Sequence, residues 1–155
     1  MSKPLTMSLL LLLAACGHAP CSEKYKKVCV IETDWEFEFP ERLQWTIDWA
    51  DKELGIDVAE VMDEYDATVE FVKRIDAEEN RIGQYEYWGD DILIEHTWLP
   101  MPTLLHEILH LVARRVDQVS VSRNLEHRIP EYFGEGGLVE RFTIEYIHEF
   151  VLVKK

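Results

Sequence analysis

The chain carries little positive charge, and this shortage limits the partners it can bind. Its 155 residues include 16 Lys and Arg against 30 Asp and Glu, which gives a formal net charge of −14 at pH 7. A nucleic-acid-binding protein needs a basic face, so we expect no nucleic acid partner. Direct docking onto anionic lipid headgroups is disfavoured for the same reason.

Internal repeats, low-complexity tracts, long linkers and long hydrophobic runs are also lacking. The longest apolar stretch, centred on Leu9–Leu13, is too short to span a bilayer, which takes about 20 residues. Hydrophobic residues nevertheless make up 47% of the chain and aromatic residues 11%. A disordered acidic chain would be poorer in both, so we expect one globular domain.

The first fifteen residues have the layout of an export signal. Lys3 supplies a positive charge near the start, Leu9–Leu13 an apolar middle, and Ala14 and Ala15 the small residues of a cleavage site. The alternative is an ordinary buried N-terminal helix. We expect residues 1–15 to be a signal peptide.

The end of this leader also resembles a known processing site. Leu13-Ala14-Ala15-Cys16 is similar to the lipobox of bacterial lipoproteins, in which cleavage occurs before a cysteine that carries lipid. The resemblance implies that Cys16 is lipidated, that residues 16–27 form a tether, and that the exported domain contacts a membrane only through this anchor. By the same resemblance to bacterial lipoproteins, the presence of Gly17 rather than an Asp after Cys16 implies a location at the outer membrane.

Two further cysteines, Cys21 and Cys29, form an even pair in an exported chain. Such a pair favours a disulfide that would staple the start of the domain. Two reduced thiols are the alternative. Zinc ligation by this pair is less favoured because the spacing is not C-x-x-C.

The hydrophobic pattern predicts an α+β domain over residues 28–155. Short apolar or alternating segments indicate strands, and apolar residues at helical spacing indicate helices. The predicted strands are residues 28–31, 68–72, 82–88 and 92–94. The predicted helices are residues 40–65, broken or kinked at Gly55, residues 103–116 and residues 135–150.

The chemistry of the chain is concentrated in the H-E-x-x-H motif of His106, Glu107 and His110. Two histidines four residues apart lie about 40° apart on a helix, so both imidazoles can reach one ion. Zinc accepts such nitrogen ligands, and catalytic zinc sites have three protein ligands and a water. Glu107 lies on the same side of the helix, where we expect it to act as the general base.

The surroundings of the motif support this interpretation. Apolar residues cover most of the helix, which predicts burial, and the polar residues form one narrow stripe. That stripe consists of Thr103, His106, Glu107, His110 and Arg114. A buried polar stripe is costly unless it is satisfied, and a metal ion would satisfy it. The alternative is a solvent-facing stripe with two ordinary histidines.

The third ligand must lie elsewhere, because Val116 stands where the metzincin pattern requires a histidine. Residues 129–140, IPEYFGEGGLVE, resemble the second motif of the gluzincin metallopeptidases, in which a Glu downstream of H-E-x-x-H is the third zinc ligand. Glu135, followed by Gly136, matches that position. Leu138 departs from the pattern, which has a small or acidic residue there. Glu131 and Glu140 are competing carboxylates, and a non-ligand Glu135 would be a carboxylate at a helix N-terminus.

The resemblance to gluzincins also implies a fold. We expect a minimal zincin-like domain, with a small antiparallel or mixed sheet packed on the active-site helix and a second helix carrying the third ligand. Asp90–Glu95 is the expected strand at the border of the substrate cleft, and an interior strand is the alternative. Candidate donors to the oxyanion are Tyr132, Tyr146, His127 and His148.

The sequence therefore predicts a membrane-anchored, zinc-dependent endopeptidase that acts on a peptide or protein substrate. The alternative is a non-catalytic envelope lipoprotein that uses a zincin-like fold for binding or structure. Glu107 favours the enzyme, because a purely structural zinc site has no use for a general base.

Overall fold

The computed structural model describes residues 28–30, 39–72, 74–75, 81–86, 88–95, 97, 99–118 and 129–152. The predictions for the leader, for Cys16 and Cys21, and for His127 lie outside these residues. Among the residues described, no helix is both long enough and apolar enough to span a bilayer.

The described elements form a small α+β domain, as the hydrophobic pattern predicts. The strands are β1 (Val28–Val30), β2 (Val69–Val72), β3 (Gly83–Glu86) and β4 (Asp91–Glu95). The helices are α1 (Phe39–Leu54), α2 (Val58–Glu64), α3 (Pro100–Arg115), α4 (Pro130–Phe133) and α5 (Leu138–Ile147), and α5 continues into a π-helical segment, His148–Leu152.

The four described strands form one mixed sheet in the order β1-β2-β4-β3. The β1–β2 and β2–β4 pairs are parallel, and the β3–β4 pair is antiparallel. Strand β4 therefore lies inside the sheet, and the prediction that Asp90–Glu95 borders the cleft is wrong. The tight turn after β3 pairs it with β4, whose other edge is already paired with β2, so β3 takes the outer position.

One face of the sheet is buried beneath α3, which packs on both β3 and β4. Buried residues alternate along the strands with half-buried ones, because successive side chains point to opposite faces. The buried set is Val69, Phe71, Tyr85, Ile92 and Ile94. This packing places α3 directly against the hairpin that ends the sheet.

Gly55 separates α1 from α2, as the sequence predicts. Its φ of +68° is a left-handed conformation that favours glycine, and its N–H bonds the Asp51 carbonyl at 2.9 Å. Asp57 then begins α2, where its carboxylate accepts a hydrogen bond from the Glu60 N–H at 2.9 Å.

The predicted second helix over residues 135–150 begins later than expected. Residues 134–137 form a turn in which Gly136 has a φ of +72°, and its N–H donates to the Glu140 carboxylate at 2.7 Å. Helix α5 starts only at Leu138. Glu135 therefore lies in the turn between α4 and α5 and not on a helix, which corrects the prediction that the second helix carries it.

An aromatic cluster joins α5 and the π-helical segment to α1. The rings of Trp45, Trp49, Phe142, Tyr146 and Phe150 pack at centroid distances of 5.0–6.1 Å. The Trp49 indole also donates to the Glu145 carboxylate at 2.9 Å. Packing of this kind fixes the position of α5 relative to the rest of the domain.

Candidate metal and catalytic site

Helix α3 carries the H-E-x-x-H motif through the centre of the domain. Pro100 and Pro102 lie in its first turn, where a missing N–H costs nothing, and twelve of its sixteen residues are buried. The Nε2 atoms of His106 and His110 converge to 3.3 Å. Two ligands at zinc–nitrogen distances near 2.05 Å and a tetrahedral angle would be about 3.3 Å apart. The two imidazoles therefore fit a shared zinc ion.

The same distance is also compatible with one imidazole donating an N–H to the other. A shared metal ion and a shared proton are therefore two alternative explanations of the short distance between the two Nε2 atoms. A chelator distinguishes them, because it would remove a metal ion but not a proton.

Aromatic rings hold the two imidazoles in place. Phe133, the last residue of α4, lies against both, with centroid distances of 4.8 Å to His106 and 4.9 Å to His110. His110 also stacks parallel to the Tyr85 ring at 6.3 Å, with 4° between the planes. His110, which is 2% exposed, therefore packs with one aromatic residue from α4 and one from β3.

Glu107 lines a cavity of about 410 Å³ beside the histidines. Its side chain is 6% exposed, and it lies on the wall that α3 forms together with His106. The lining residues come from the end of the sheet, from α3 and from α5, and they are Arg81, Ile82, Gly83, Pro102, Thr103, His106, Glu107 and Val139. The predicted polar stripe of α3 therefore faces this cavity and strand β3.

Gly83 lets the edge strand lie unusually close to the catalytic helix. A Cβ at this position would be 2.5 Å from Cγ2 of Thr103 and 2.6 Å from Oε1 of Glu107, and both distances are too short for a real contact. Gly83 is not among the residues that the motifs of the sequence predict for the site. A glycine inside a strand pattern is the available signal, since it often marks close approach of another group.

A buried polar network supports the far side of His110. The Tyr85 hydroxyl donates to the Asp90 carboxylate, which also accepts hydrogen bonds from the Arg115 guanidinium, one of them at 3.0 Å. Arg114 lies 3.7 Å from the same carboxylate. Asp90 is 3% exposed and stands in the β3–β4 turn at a φ of +56°. The network ties the hairpin to the last turn of α3.

The ionisation of this network follows from its contacts. Burial raises the pKa of Tyr85, and its hydrogen bond to Asp90 raises it further, so the hydroxyl stays a donor. Burial alone would raise the pKa of Asp90, but the hydrogen bonds from Arg115 and Tyr85 and the charges of both arginines outweigh it. The pKa of Asp90 is therefore lowered.

Glu135, the predicted third zinc ligand, is exposed in the turn after Phe133. Among the residues that the structure describes, no three His, Cys, Asp or Glu side chains form a group that could hold a metal ion. Glu135 therefore does not join the two histidines in the described arrangement. Of the two competing carboxylates, Glu140 accepts a hydrogen bond from the Gly136 N–H, and Glu131 is exposed.

None of the candidate oxyanion donors that the structure describes lines the cavity. Tyr146 is buried in the aromatic cluster, where its hydroxyl accepts a hydrogen bond from Arg42 at 3.0 Å. The Tyr132 hydroxyl donates to Asp117 at 2.6 Å, and Asp117 is an exposed residue beyond the C-terminal end of α3. His148 is exposed in the π-helical segment. The direction of each of these side chains depends on the helix face or turn that carries it. The spacing of residues in the sequence does not determine that direction.

Comparisons with protein-family models, curated proteins and solved structures gave no significant match.

Proposed function

We propose that this protein is a zinc-dependent endopeptidase of gluzincin type, held at a membrane by lipid on Cys16. The observation that carries the proposal is the convergence of the His106 and His110 Nε2 atoms to 3.3 Å beside a buried glutamate on the wall of a cavity. A chelating pair of histidines and an adjacent general base are two of the parts that metal-assisted hydrolysis requires, and a third protein ligand completes such a zinc site.

His106 and His110 would hold the metal, with Glu135 as the proposed third ligand. Phe133 touches both imidazoles, and Glu135 follows it by two residues, a span of at most about 7 Å. Within residues 131–140, Glu135 is also the carboxylate that follows Phe133 most closely. A bound zinc would supply Lewis acidity toward a water and the scissile carbonyl.

The remaining steps belong to the chain itself. Strand β3 is paired on one side by β4, and an extended substrate would lie along its other edge, next to Gly83. Glu107 accepts a proton from the attacking water, whose oxygen forms the new bond to the carbonyl carbon. Glu107 then returns that proton to the leaving nitrogen as the C–N bond breaks.

A second candidate is a non-catalytic envelope lipoprotein with the same fold. The absence of a three-residue metal group among the described residues favours this alternative. It predicts that the histidines and Glu107 serve packing or binding and that no hydrolysis exists to be lost.

The substitution Glu107→Gln separates the two candidates. It keeps the size and burial of the side chain but removes the proton acceptor, so peptide hydrolysis should fall by about 10²–10⁴-fold while zinc content and the far-UV circular dichroism spectrum stay unchanged. Glu64→Gln, at an exposed position at the end of α2, is the matched control and should keep full activity.

Two results would contradict the enzyme. One is undetectable hydrolysis by zinc-loaded wild type across a broad peptide library, and the other is undiminished hydrolysis by the Glu107→Gln variant. The anchor is tested separately: Cys16→Ser should move the protein from the membrane fraction to the soluble fraction, and unchanged membrane association would contradict lipidation.

A further inference from the structure

The cavity beside Glu107 has both polar and apolar lining residues. The polar side chains of His106 and Glu107 line it together with the apolar side chains of Ile82, Pro102 and Val139. Ile82 is 51% exposed, so its side chain is accessible to a bound chain. The volume of about 410 Å³ lies within the range of ligand-binding pockets.

Arg81 is one of the residues that line this cavity. Among the described residues that line the cavity, it is the one with a positively charged side chain. It precedes Gly83 by two residues, so the two Cα atoms are at most about 7 Å apart. Gly83 in turn lies against the Glu107 carboxylate. An extended chain advances about 3.3 Å per residue, so Arg81 faces a position about two residues from the one beside Glu107.

We propose that Arg81 binds a carboxylate of the substrate about two residues from the scissile bond, and so determines specificity. This inference rests on the proposed function. The guanidinium presents a planar fork of donors that matches a carboxylate. The carboxylate belongs either to an Asp or Glu side chain or to the C-terminus of the peptide, and both have the same chemistry.

The net charge of the whole chain opposes the proposed preference for a carboxylate. A formal net charge of −14 repels acidic peptides at long range and would by itself favour basic substrates. A preference for a carboxylate therefore requires a local contact. Arg81, which lines the cavity, offers that contact.

The test uses zinc-loaded full-length protein and synthetic peptides that differ at one position, with Glu, Gln or Lys. One set is amidated at the C-terminus, and a second set ends in a free carboxylate at the same distance from the scissile bond. If the carboxylate belongs to a side chain, we expect kcat/KM to be about tenfold higher for the Glu peptide than for the Gln peptide. If it belongs to the C-terminus, we expect the same ratio between the peptide with a free terminus and the amidated peptide. The set that shows the difference identifies the source of the carboxylate.

Arg81→Gln should reduce this preference to near unity, and Arg81→Lys should keep part of it because the charge remains. Arg74→Gln, at an exposed arginine that does not line the cavity, is the matched control and should keep the wild-type preference. A preference for Lys peptides in wild type, or a carboxylate preference that survives Arg81→Gln, would overturn the inference.

Binding measurements keep this test independent of turnover. With the Glu107→Gln variant, fluorescence polarisation of labelled peptides should give a lower Kd for the carboxylate-bearing peptide, and adding Arg81→Gln should remove the difference. If wild type cleaves nothing, the proposed function fails and these Kd values alone decide the role of Arg81. Equal Kd values for the Glu and Gln peptides and for the free and amidated termini would overturn it.

Discussion

Gly83 faces the carboxylate of Glu107 at a distance that leaves no room for a side chain. A Cβ built on Gly83 would lie 2.6 Å from Oε1 of Glu107. The edge of the sheet and the proposed general base are thus in direct contact, and the position of one limits the position of the other.

Gly83→Ala should therefore harm both stability and activity. The added methyl group forces Thr103 and Glu107 to move, and overpacking of this kind costs about 1–3 kcal/mol in the free energy of unfolding. Oε1 of Glu107 is one of the atoms that must move. The value of kcat should therefore fall by more than the loss of folded protein alone would explain. Urea denaturation and steady-state kinetics on the same preparation measure both effects.

Thr103→Ser provides the control for this prediction. It removes the Cγ2 atom that would lie 2.5 Å from the new Cβ, but it leaves the contact with Glu107. In the double variant, stability should partly recover while kcat stays low. A Gly83→Ala protein with wild-type stability and kcat would show that the close approach has no role.

Asp90→Asn should weaken the support of His110 and change the acid response. Asparagine tolerates the positive φ of Asp90 and keeps an acceptor for Tyr85, but it loses the charge that pairs with Arg115. We expect a loss of about 1–2 kcal/mol at neutral pH, below the range for fully buried pairs because the Arg115 side chain is 30% exposed.

The sign of the pH dependence follows from the lowered pKa of Asp90. A carboxylate whose folded pKa is below its ordinary value of 3.8 stabilises the fold above that pH and loses this contribution as pH falls through the folded pKa. The difference in unfolding free energy between wild type and Asp90→Asn should therefore be present at about pH 6 and shrink as the pH falls below 3.8. A difference that grows on acidification would contradict this account.

Tyr146→Phe tests the assignment of Tyr146 to the core. Loss of the hydroxyl removes the hydrogen bond from Arg42 and should cost about 0.5–1.5 kcal/mol in unfolding free energy. The value of kcat should change less than about twofold, whereas loss of an oxyanion donor lowers it by about 10²–10³-fold. Such a fall in kcat in folded Tyr146→Phe would restore the tyrosine as a donor.

Glu135→Gln tests the third ligand. If this carboxylate completes the site, zinc affinity should fall by about tenfold or more, as measured by competition with a chromophoric chelator. Glu131→Gln, at an exposed position in α4 of the same segment, is the matched control and should keep the wild-type affinity. Equal affinity in both variants would remove Glu135 from the site.

Local patterns predicted most of the described elements. The strand-like residues at 68–72 and the apolar surroundings of His106 and Glu107 indicated β2 and α3 correctly, because each pattern depends only on neighbouring residues. Gly55 likewise marked the break between α1 and α2, since a left-handed residue is a local requirement.

Features set by distant pairing were not predicted. The order of β3 and β4 depends on which strand meets β2, and nothing local to Asp90–Glu95 specifies that. The contact between Arg42 and Tyr146 joins residues 104 positions apart, so it follows only from the packing of α1 against α5. Helix α5 begins at Leu138 and not at residue 135 as predicted, because the glycines at 134, 136 and 137 form a turn before it. Glycines of this kind are a turn signal in the sequence.

The most direct test of the central claim is the zinc content of purified full-length protein. Metal analysis by mass spectrometry should find about one zinc per chain in wild type, and none in His106→Ala/His110→Ala that shows a wild-type circular dichroism spectrum. His148→Ala, at an exposed histidine outside the motif, should retain the metal. Added zinc should also raise the Tm of the wild-type protein and leave the Tm of the His106→Ala/His110→Ala variant unchanged. A folded wild-type protein that takes up no zinc when zinc is supplied in excess would contradict the account.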